Sequence, residues 1–405
     1  MSGAAIESGS RPTRTHRGWI LLVGILLIAA NLRAAITAVG PVLGNIRGSL
    51  DLSAVTASVL ISVPLVAFAL VSPVAPWLAR RVGMERALGL SLGALAVGIA
   101  VRSLPWFAGL WIGTALLGIA IAVLNVVLPS LIKRDYPDRI GQITGAYSAT
   151  QSAIAAIAAG LAVPIAGVTQ DGWRLSLGIW AGLALIAIAV FAPQLRKRTL
   201  PETLAATAAP KASHPYRSPW RSALGWQVTA FMGLQSTVYY ILITWLPSIE
   251  QSDGVSQSAA GLHQFLLNGF GILGSLSAAA LIHRWKDQRG IAIAATVVVA
   301  VSIVGVMTDP GLNAVWVSIG GLGTGASIVI ALSLFGLRTV HHGQAAALSG
   351  MAQAVGYLVA ASGPIVIGLV HDATGAWTTG LFIILGLLAA QFFAGMLATR
   401  RRLIG

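Results

Sequence analysis

The sequence contains no cysteine. That excludes a disulfide framework, a thiol nucleophile and a thiolate metal site. Charge is also scarce. Only 9% of the 405 residues are charged, against about 25% in soluble domains. Acids number 12 and bases 26. No Gly-x-x-x-x-Gly-Lys-Ser/Thr loop occurs, so ATP-driven transport is not expected. Without a His-Glu-x-x-His motif or a cysteine cluster, no metal is expected, and no other cofactor is. An enzyme in the membrane would need a nucleophile with its base, or a metal, at membrane depth, and the sequence offers neither.

What the chain has instead is apolar residues, 56% of the total, and 46 glycines. Such a chain cannot cover its surface against water and needs lipid as its second solvent. Glycine is also more frequent in membrane helices than in soluble ones. A formal charge of +14 on a soluble chain would raise nucleic acid as a partner. Here the basic residues fall in short clusters between long apolar runs, and no nucleic-acid partner is expected.

An apolar run of about 20 residues crosses the hydrocarbon core as a helix. Twelve such runs are predicted: 18–40, 54–79, 87–104, 107–131, 141–168, 175–193, 225–247, 258–282, 290–308, 312–334, 344–370 and 376–398. The segments 1–17, 80–86, 132–140, 194–224, 283–289, 335–343 and 399–405 hold 22 of the 26 Lys and Arg. The alternate loops hold only Arg47, Arg102 and Arg174, and carry the acids Asp51, Asp171, Glu250, Asp253, Asp309 and Asp372. Cytoplasmic loops carry the Lys/Arg excess, so both termini are expected in the cytoplasm. Arg11, Arg14 and Arg17 before an apolar run also resemble a signal peptide. Cleavage near Ala29-Ala30 would leave eleven spans and invert the charge balance of every later loop.

The stretch 194–224 combines Pro201, Pro210, Pro215 and Pro219 with six basic residues, the composition of a linker. It divides the chain into a cytoplasmic start (1–17), a six-helix bundle (18–193), a linker (194–224), a second six-helix bundle (225–398) and a cytoplasmic tail (399–405). The halves repeat. Gly141-Gln142 opens the fifth span and Gly343-Gln344 the eleventh, and Gln151 and Gln353 follow at the same offset of 202 residues. A parallel six-plus-six repeat is the architecture of major facilitator superfamily (MFS) transporters, which hold substrate near the bilayer midplane between the halves.

Longer motifs narrow the resemblance. They are Asn31-Leu-Arg33-Ala-Ala-Ile-Thr37 with Pro41, Leu78-Ala-Arg-Arg-Val-Gly-Met-Glu-Arg86, Asn125-Val-Val-Leu-Pro129, Lys133-Arg-Asp-Tyr-Pro137 and Thr144-Gly-Ala-Tyr147. In the second half stand Gly225-Trp-Gln-Val-Thr229, Tyr239-Tyr240 with Trp245-Leu-Pro247, Lys286-Asp-Gln-Arg-Gly290, and the run from Ala345 to Tyr357. With these the chain resembles the cyanate/nitroimidazole (CynX/NimT) family of that superfamily, most nearly its 2-nitroimidazole branch. The resemblance implies a secondary transporter of small solutes in the inner membrane. One departure stands out. In the loop between the second and third spans Arg80 occupies the place where the superfamily has Asp, beside Arg81 and Arg86. Glu85 is the only acid there, and it is expected to pair with Arg134 or Arg139 in the gating cluster, or else to be a solvated loop acid.

Arg33 is the strongest single signal. An Arg at mid-span costs roughly 2.5–3.5 kcal/mol on insertion scales and marks a pathway. No clear carboxylate within the spans neutralises it. Its planar fork suits carboxylate-like or nitro oxygens; the structural alternative is bonding to carbonyls of neighbouring helices. Thr37, four residues on, shares its face and is either a second contact or a backbone cap. Asn125, Tyr147, Gln151, Gln235 and Gln353 are candidate cavity residues, against a role as interhelical hydrogen-bonding partners. Tyr239, Tyr240 and Tyr357 offer rings for a flat solute, against core packing. His263 is the intramembrane group that titrates near neutrality, unless it is hydrated at the interface.

The expectation is therefore a monomeric, multi-pass transporter that moves a small planar solute or anion by alternating access. A transporter-like sensor or scaffold that binds solute without moving it is the alternative. It would need a signalling domain that the short termini leave little room for.

Overall fold

The computed structural model describes residues 14–136, 139–196, 218–285, 287–340 and 342–404. Most of the 194–224 linker and most of the N-terminal segment lie outside these residues. Regular structure among the described residues is helical. We label the twelve long helices α1 (Arg14–Thr37), α2 (Ala54–Val71), α3 (Met84–Ser103), α4 (Phe107–Asp135), α5 (Ile140–Ala166), α6 (Gly172–Gly178 with Trp180–Phe191), α7 (Ala223–Ser252), α8 (Gln257–Arg284), α9 (Arg289–Thr308), α10 (Asn313–Leu337), α11 (His342–Thr374) and α12 (Thr378–Ala398). Short helices Leu43–Leu50 and Ala75–Val82 extend α1 and α2.

Among the described residues, eleven segments are long and apolar enough to cross a membrane by length and composition. α7 is not among them. It carries Gln227, Thr229, Gln235, Ser236, Thr237, Tyr239, Tyr240 and Thr244, yet most of its residues are buried. A helix wrapped by other helices need not be apolar toward lipid, provided its polar groups are satisfied inside. Thr229, Thr237 and Thr244 satisfy themselves by donating to carbonyls one turn back, those of Gly225, Gly233 and Tyr240.

Local signals set the helix ends. Ser53 and Ser256 cap α2 and α8, accepting from the N–H groups of Thr56 and Ala259, as N-cap serines do. Gly83 and Gly254 have φ of +91° and +89°, the left-handed region that glycine adopts without strain. They turn the chain from α2 to α3 and from α7 to α8. The predicted spans agree with these helices within a few residues, with one consequential difference. α7 does not stop at Pro247 but runs to Ser252, so Glu250 belongs to a buried helix and not to a loop. Arg102 is likewise no loop charge. It ends α3, is buried, and donates from Nη1 to the Ala35 carbonyl at 2.8 Å.

The packing repeats with the sequence. α1 packs on α5 and α6, α2 on α4, and α3 on α4 and α6. α7 packs on α11 and α12, α8 on α10, and α9 on α10 and α12. Two six-helix bundles result, joined where α2 meets α11 and α5 meets α8. Small residues permit the tightest crossing. Gly321 and Gly325 of α10 sit directly against backbone carbonyls of α8, those of Leu267 and Gly271. Ser275 of α8 donates across to the Gly325 carbonyl at 2.9 Å. Close backbone approach replaces the hydrophobic drive that lipid removes.

The repeat reaches individual side chains. Glu85 in the first turn of α3 binds Arg134 at the end of α4, Oε1 to Nη1 2.8 Å. At the equivalent places of the second bundle, Gln288 before α9 accepts from Arg338 after α10, 2.6 Å. An ion pair in one half is a guanidinium bond to an uncharged amide in the other. Burial works against the Arg134 charge, and the bonds to Asp135 and Glu85 more than restore it. Arg338, buried beside a neutral amide, has its pKa lowered by desolvation, with Asp287 opposing. Arg139, the other candidate partner of Glu85, is exposed, as are Arg80 and Arg86, while Arg81 lies over the Trp77 ring at 4.8 Å.

Candidate functional site

Arg33 enters a cavity of about 70 Å³ between the bundles, lined also by Ser152 and Ala155 of α5, Gln235, Ser236, Tyr239 and Tyr240 of α7, Leu267, Asn268, Gly271 and Ser275 of α8, Thr324, Gly325 and Ile328 of α10, and Tyr357 of α11. Both halves contribute, and three of the four seam helices, α5, α8 and α11, line the space. A larger hollow of about 710 Å³, lined by Arg81, Val82, Arg86, Gly89, Leu90, Gly93, Ala94 and Leu195, lies on the flank of the first bundle. It borders one half only and contains none of the intramembrane polar residues, so we do not take it as the site.

The Arg33 guanidinium sits over the Tyr239 ring, 5.2 Å from its centroid. Its Nη1 is buried and has no hydrogen-bond partner. Tyr239, Tyr240, Tyr357 and Tyr147 are close to it, four of the six tyrosines in the chain. No carboxylate is paired with it among the described residues. A buried donor left unpaired costs 1–3 kcal/mol, more when charged. The cavity therefore presents an unspent cationic fork walled by aromatic rings and hydroxyls, suited to a small planar group that brings acceptor oxygens or nitrogens.

The walls are held in place by their own bonds. Tyr239 donates to Asn268 Oδ1 at 3.0 Å, and Asn268 donates to the Gln264 carbonyl at 2.9 Å. Tyr240 packs edge-on against Tyr239, with centroids 5.5 Å apart. Tyr357 meets Phe68 of α2 edge-on at 5.6 Å across the bundle seam. Gln235 lines the cavity but is tied by its Nε2 to Ser236 Oγ at 2.7 Å and to the Met232 carbonyl at 3.1 Å.

Other expected site residues are elsewhere. Thr37 is fully buried and does not reach the cavity: its hydroxyl lies within bonding distance of the Arg33 and Ala155 carbonyls. A hydroxyl between two carbonyls joins α1 to α5 and has no donor left for a solute. Asn125 is half-buried on α4 and does not line the cavity, nor do Gln151 and Gln353. Gln151 reaches Tyr147 OH at 3.4 Å, and Gln353 donates to Ser349 Oγ at 2.8 Å, each within its own helix. His263 is also outside the cavity. It is near the α8 start, where Nδ1 is 2.9 Å from Glu250 Oε1.

Sequence reasoning missed a second group of residues, at the end of the molecule opposite Arg134 and Arg338. Here the bundles are fastened together. Asp372 of α11 accepts from the Ala54 and Val55 N–H groups at the α2 N-terminus, 3.1 and 3.0 Å. A carboxylate there satisfies unpaired N–H groups and faces the positive end of the helix dipole. Gln257 of α8 reaches Asn45 and the Pro41 carbonyl, and Ser62 donates to the Ala361 carbonyl at 2.7 Å. The partners are 212 to 318 residues apart, which is why no local signal exposed them. At the opposite end, Gly145 and Ala146 of α5 and Gly350 of α11 are exposed.

A repeated helical bundle pair with a polar cavity at the seam is the architecture of a secondary transporter, and residues 22–364 match the Major Facilitator Superfamily. The chain belongs to that family, and within it to the cyanate/nitroimidazole transporters. It is 42% identical over 386 residues to the uncharacterized transporter YycB of Bacillus subtilis (strain 168), covering 95% of this chain and 94% of that one. It is 43% identical over 375 residues to the 2-nitroimidazole transporter of Escherichia coli (strain K12), covering 92% and 94%. A solved structure of a bacterial homolog to the human lysosomal transporter Spinster, inward-facing and unoccupied, superposes with a TM-score of 0.75 at 16% identity, covering 97% of this chain and 99% of that one. The molecule is a multi-pass membrane transporter of a small-molecule substrate.

Proposed function

We propose that this transporter moves a small planar anion or nitro-heteroaromatic solute across the inner membrane by alternating access, with Arg33 as the anchor. The observation that carries the proposal is the Arg33 fork: it lines the cavity without a carboxylate partner, and its Nη1 is unbonded. The tyrosines around it favour a flat cargo, and the 2-nitroimidazole named for the 43% identical relative has both a flat ring and nitro oxygens. Cyanate, named for a relative 26% identical, brings the charge and the linear shape.

The Lys/Arg distribution puts both termini in the cytoplasm. The fastened end around Asp372 then faces outward, and the exposed starts of α5 and α11 face the cytoplasm. The chain works as a monomer, and its bundles, 18–193 and 225–398, rock about the cavity. Glu85 and Arg134 belong to the gating cluster of the cytoplasmic side.

Ligand-induced thermal stabilisation of purified protein tests the anchor. A ligand at a hundredfold excess over its dissociation constant stabilises the folded state by about 2.7 kcal/mol. 2-Nitroimidazole or cyanate is expected to raise the melting temperature of the wild type. In Arg33→Gln the affinity falls ten- to hundredfold, the worth of one hydrogen bond to a charged group at about 1.5–3 kcal/mol. A well-folded variant that responds as the wild type does would show the anchor to be wrong.

A further inference from the structure

Glu250 is a buried carboxylate that cargo binding at Arg33 does not use. Its side chain has no exposure, one oxygen meets His263 Nδ1 at 2.9 Å, and Oε2 is buried without a partner. Other charged groups nearby are Asp253 at the end of α7; Arg47, which stacks on Trp245 at 5.9 Å; and, on α11, His371, stacked on Trp377, and Asp372, committed to the α2 N-terminus. No Lys or Arg pairs with Glu250 among the described residues. An ionised carboxylate is not kept unpaired in such a place. The pair therefore stays neutral by holding one proton, on the carboxyl or on the imidazole.

The pair, through His263, and one wall of the cavity share helix α8. Gln264, next to His263, is fully buried, and neither its amide oxygen nor its nitrogen is bonded. One turn on, Asn268 binds the Gln264 carbonyl and accepts from Tyr239, whose ring lies under Arg33. The same α8 carries Gln257, a fastener of the outer end. Buried polar side chains of α8, Gln264 and Asn268, thus stand between the Glu250–His263 pair and the cationic anchor.

We propose that Glu250 and His263 form a proton-binding site that couples proton movement to cargo through α8; the inference rests on the transporter reading above and deepens it by naming the coupling ion. Opening of the outer end hydrates the pair and lets it exchange its proton with the outside. Closure buries it in the one-proton state, the proton leaves with the cargo when the cavity opens to the other side, and the pair regains a proton only when the outer end reopens. A proton that moves with an anion held by Arg33 makes the translocating complex electrically neutral.

Two measurements test this, one of them without cargo. Unfolded, these two residues hold one proton between about pH 4.3 and 6.5, and none well above that. A folded pair that keeps its proton binds more protons than the unfolded chain as pH rises above about 6.5, so the fold loses stability there. The wild type is expected to melt at steadily lower temperature from pH 6.5 to 8.5, and Glu250→Gln to give a markedly flatter curve. His263→Gln, which keeps the carboxyl alone, is expected to start its decline near the ordinary carboxylate range, and it serves if the first variant does not fold. Curves that run parallel to the wild type in the variants overturn the proposal. In proteoliposomes under a pH gradient, the wild type is expected to accumulate cyanate or 2-nitroimidazole several-fold, and Glu250→Gln to exchange the probe without accumulating it. Accumulation by Glu250→Gln equal to that of the wild type overturns coupling at this site. If the wild type moves neither probe, the solute reading fails, and the melting curves alone decide the proton site.

Discussion

At the scale of single residues, the proposed site is a cation whose neighbours are neutral. Arg33 gains from the Tyr239 face a cation–π contact worth about 0.5–2 kcal/mol, which orients the fork without neutralising it. Thr37 and Gln235 show how buried polar residues divide. Each has spent its donors on nearby carbonyls or hydroxyls, and a group already satisfied gains little by turning to a solute. The Tyr239 hydroxyl, by contrast, fixes the ring through Asn268. Tyr239→Phe keeps the ring and removes that bond, worth about 1 kcal/mol. The unliganded melting temperature is expected to fall by a degree or two, as a loss of about 1 kcal/mol gives in a chain of this size, and cargo affinity, measured by titrating the thermal shift, to fall with it because the ring is no longer fixed.

At the scale of elements, the repeat gives internal controls. Glu85 is buried and Arg134 partly so, and Arg134 retains Asp135 if Glu85 is lost. Glu85→Gln reproduces the amide–guanidinium arrangement that Gln288 and Arg338 already use. It is expected to cost about 1 kcal/mol, and Glu85→Ala, which leaves a donor unbonded, about 1–3 kcal/mol, compared by melting in detergent. The α8–α10 crossing makes a sharper demand. A side chain at Gly325 would run into the Gly271 carbonyl, whereas Gly269 on α8 has open space beside it. Gly325→Val is expected to destabilise by about 1–3 kcal/mol through overpacking, and Gly269→Ala to leave the melting temperature close to wild type.

At the scale of the molecule, the two bundles are fastened together at one end by Asp372, Gln257 and Ser62. Alternation requires the fastened end to open, so α5 and α8 must separate there. A Cβ built at Gly160 lies 3.3 Å from Phe265 Cβ, close to the 3.5–4.5 Å that a disulfide spans. Gly160→Cys with Phe265→Cys is expected to form a crosslink under oxidation and to stop transport, with reduction restoring it. The native chain has no cysteine, so no other disulfide competes. Full transport by the crosslinked protein would count against alternation at this seam.

The sequence by itself determined the class of protein: scarce charge and periodic apolar runs require lipid, and the spacing of those runs sets the helices to within a few residues. It also exposed the repeat, because duplicated motifs keep their offset, and it exposed Arg33, because a charge at mid-span has few bland explanations. Only the tertiary structure decided which polar residues face the cavity. The rotation of a helix depends on what packs around it, and α7 is polar on faces that turn out to be enclosed. The same holds for Asp372 at the α2 N-terminus and Glu250 beside His263. Read along the chain, both are loop acids on the opposite side from the bases. They become a fastener and a buried pair only when distant helix ends are brought together, and no local pattern encodes that meeting.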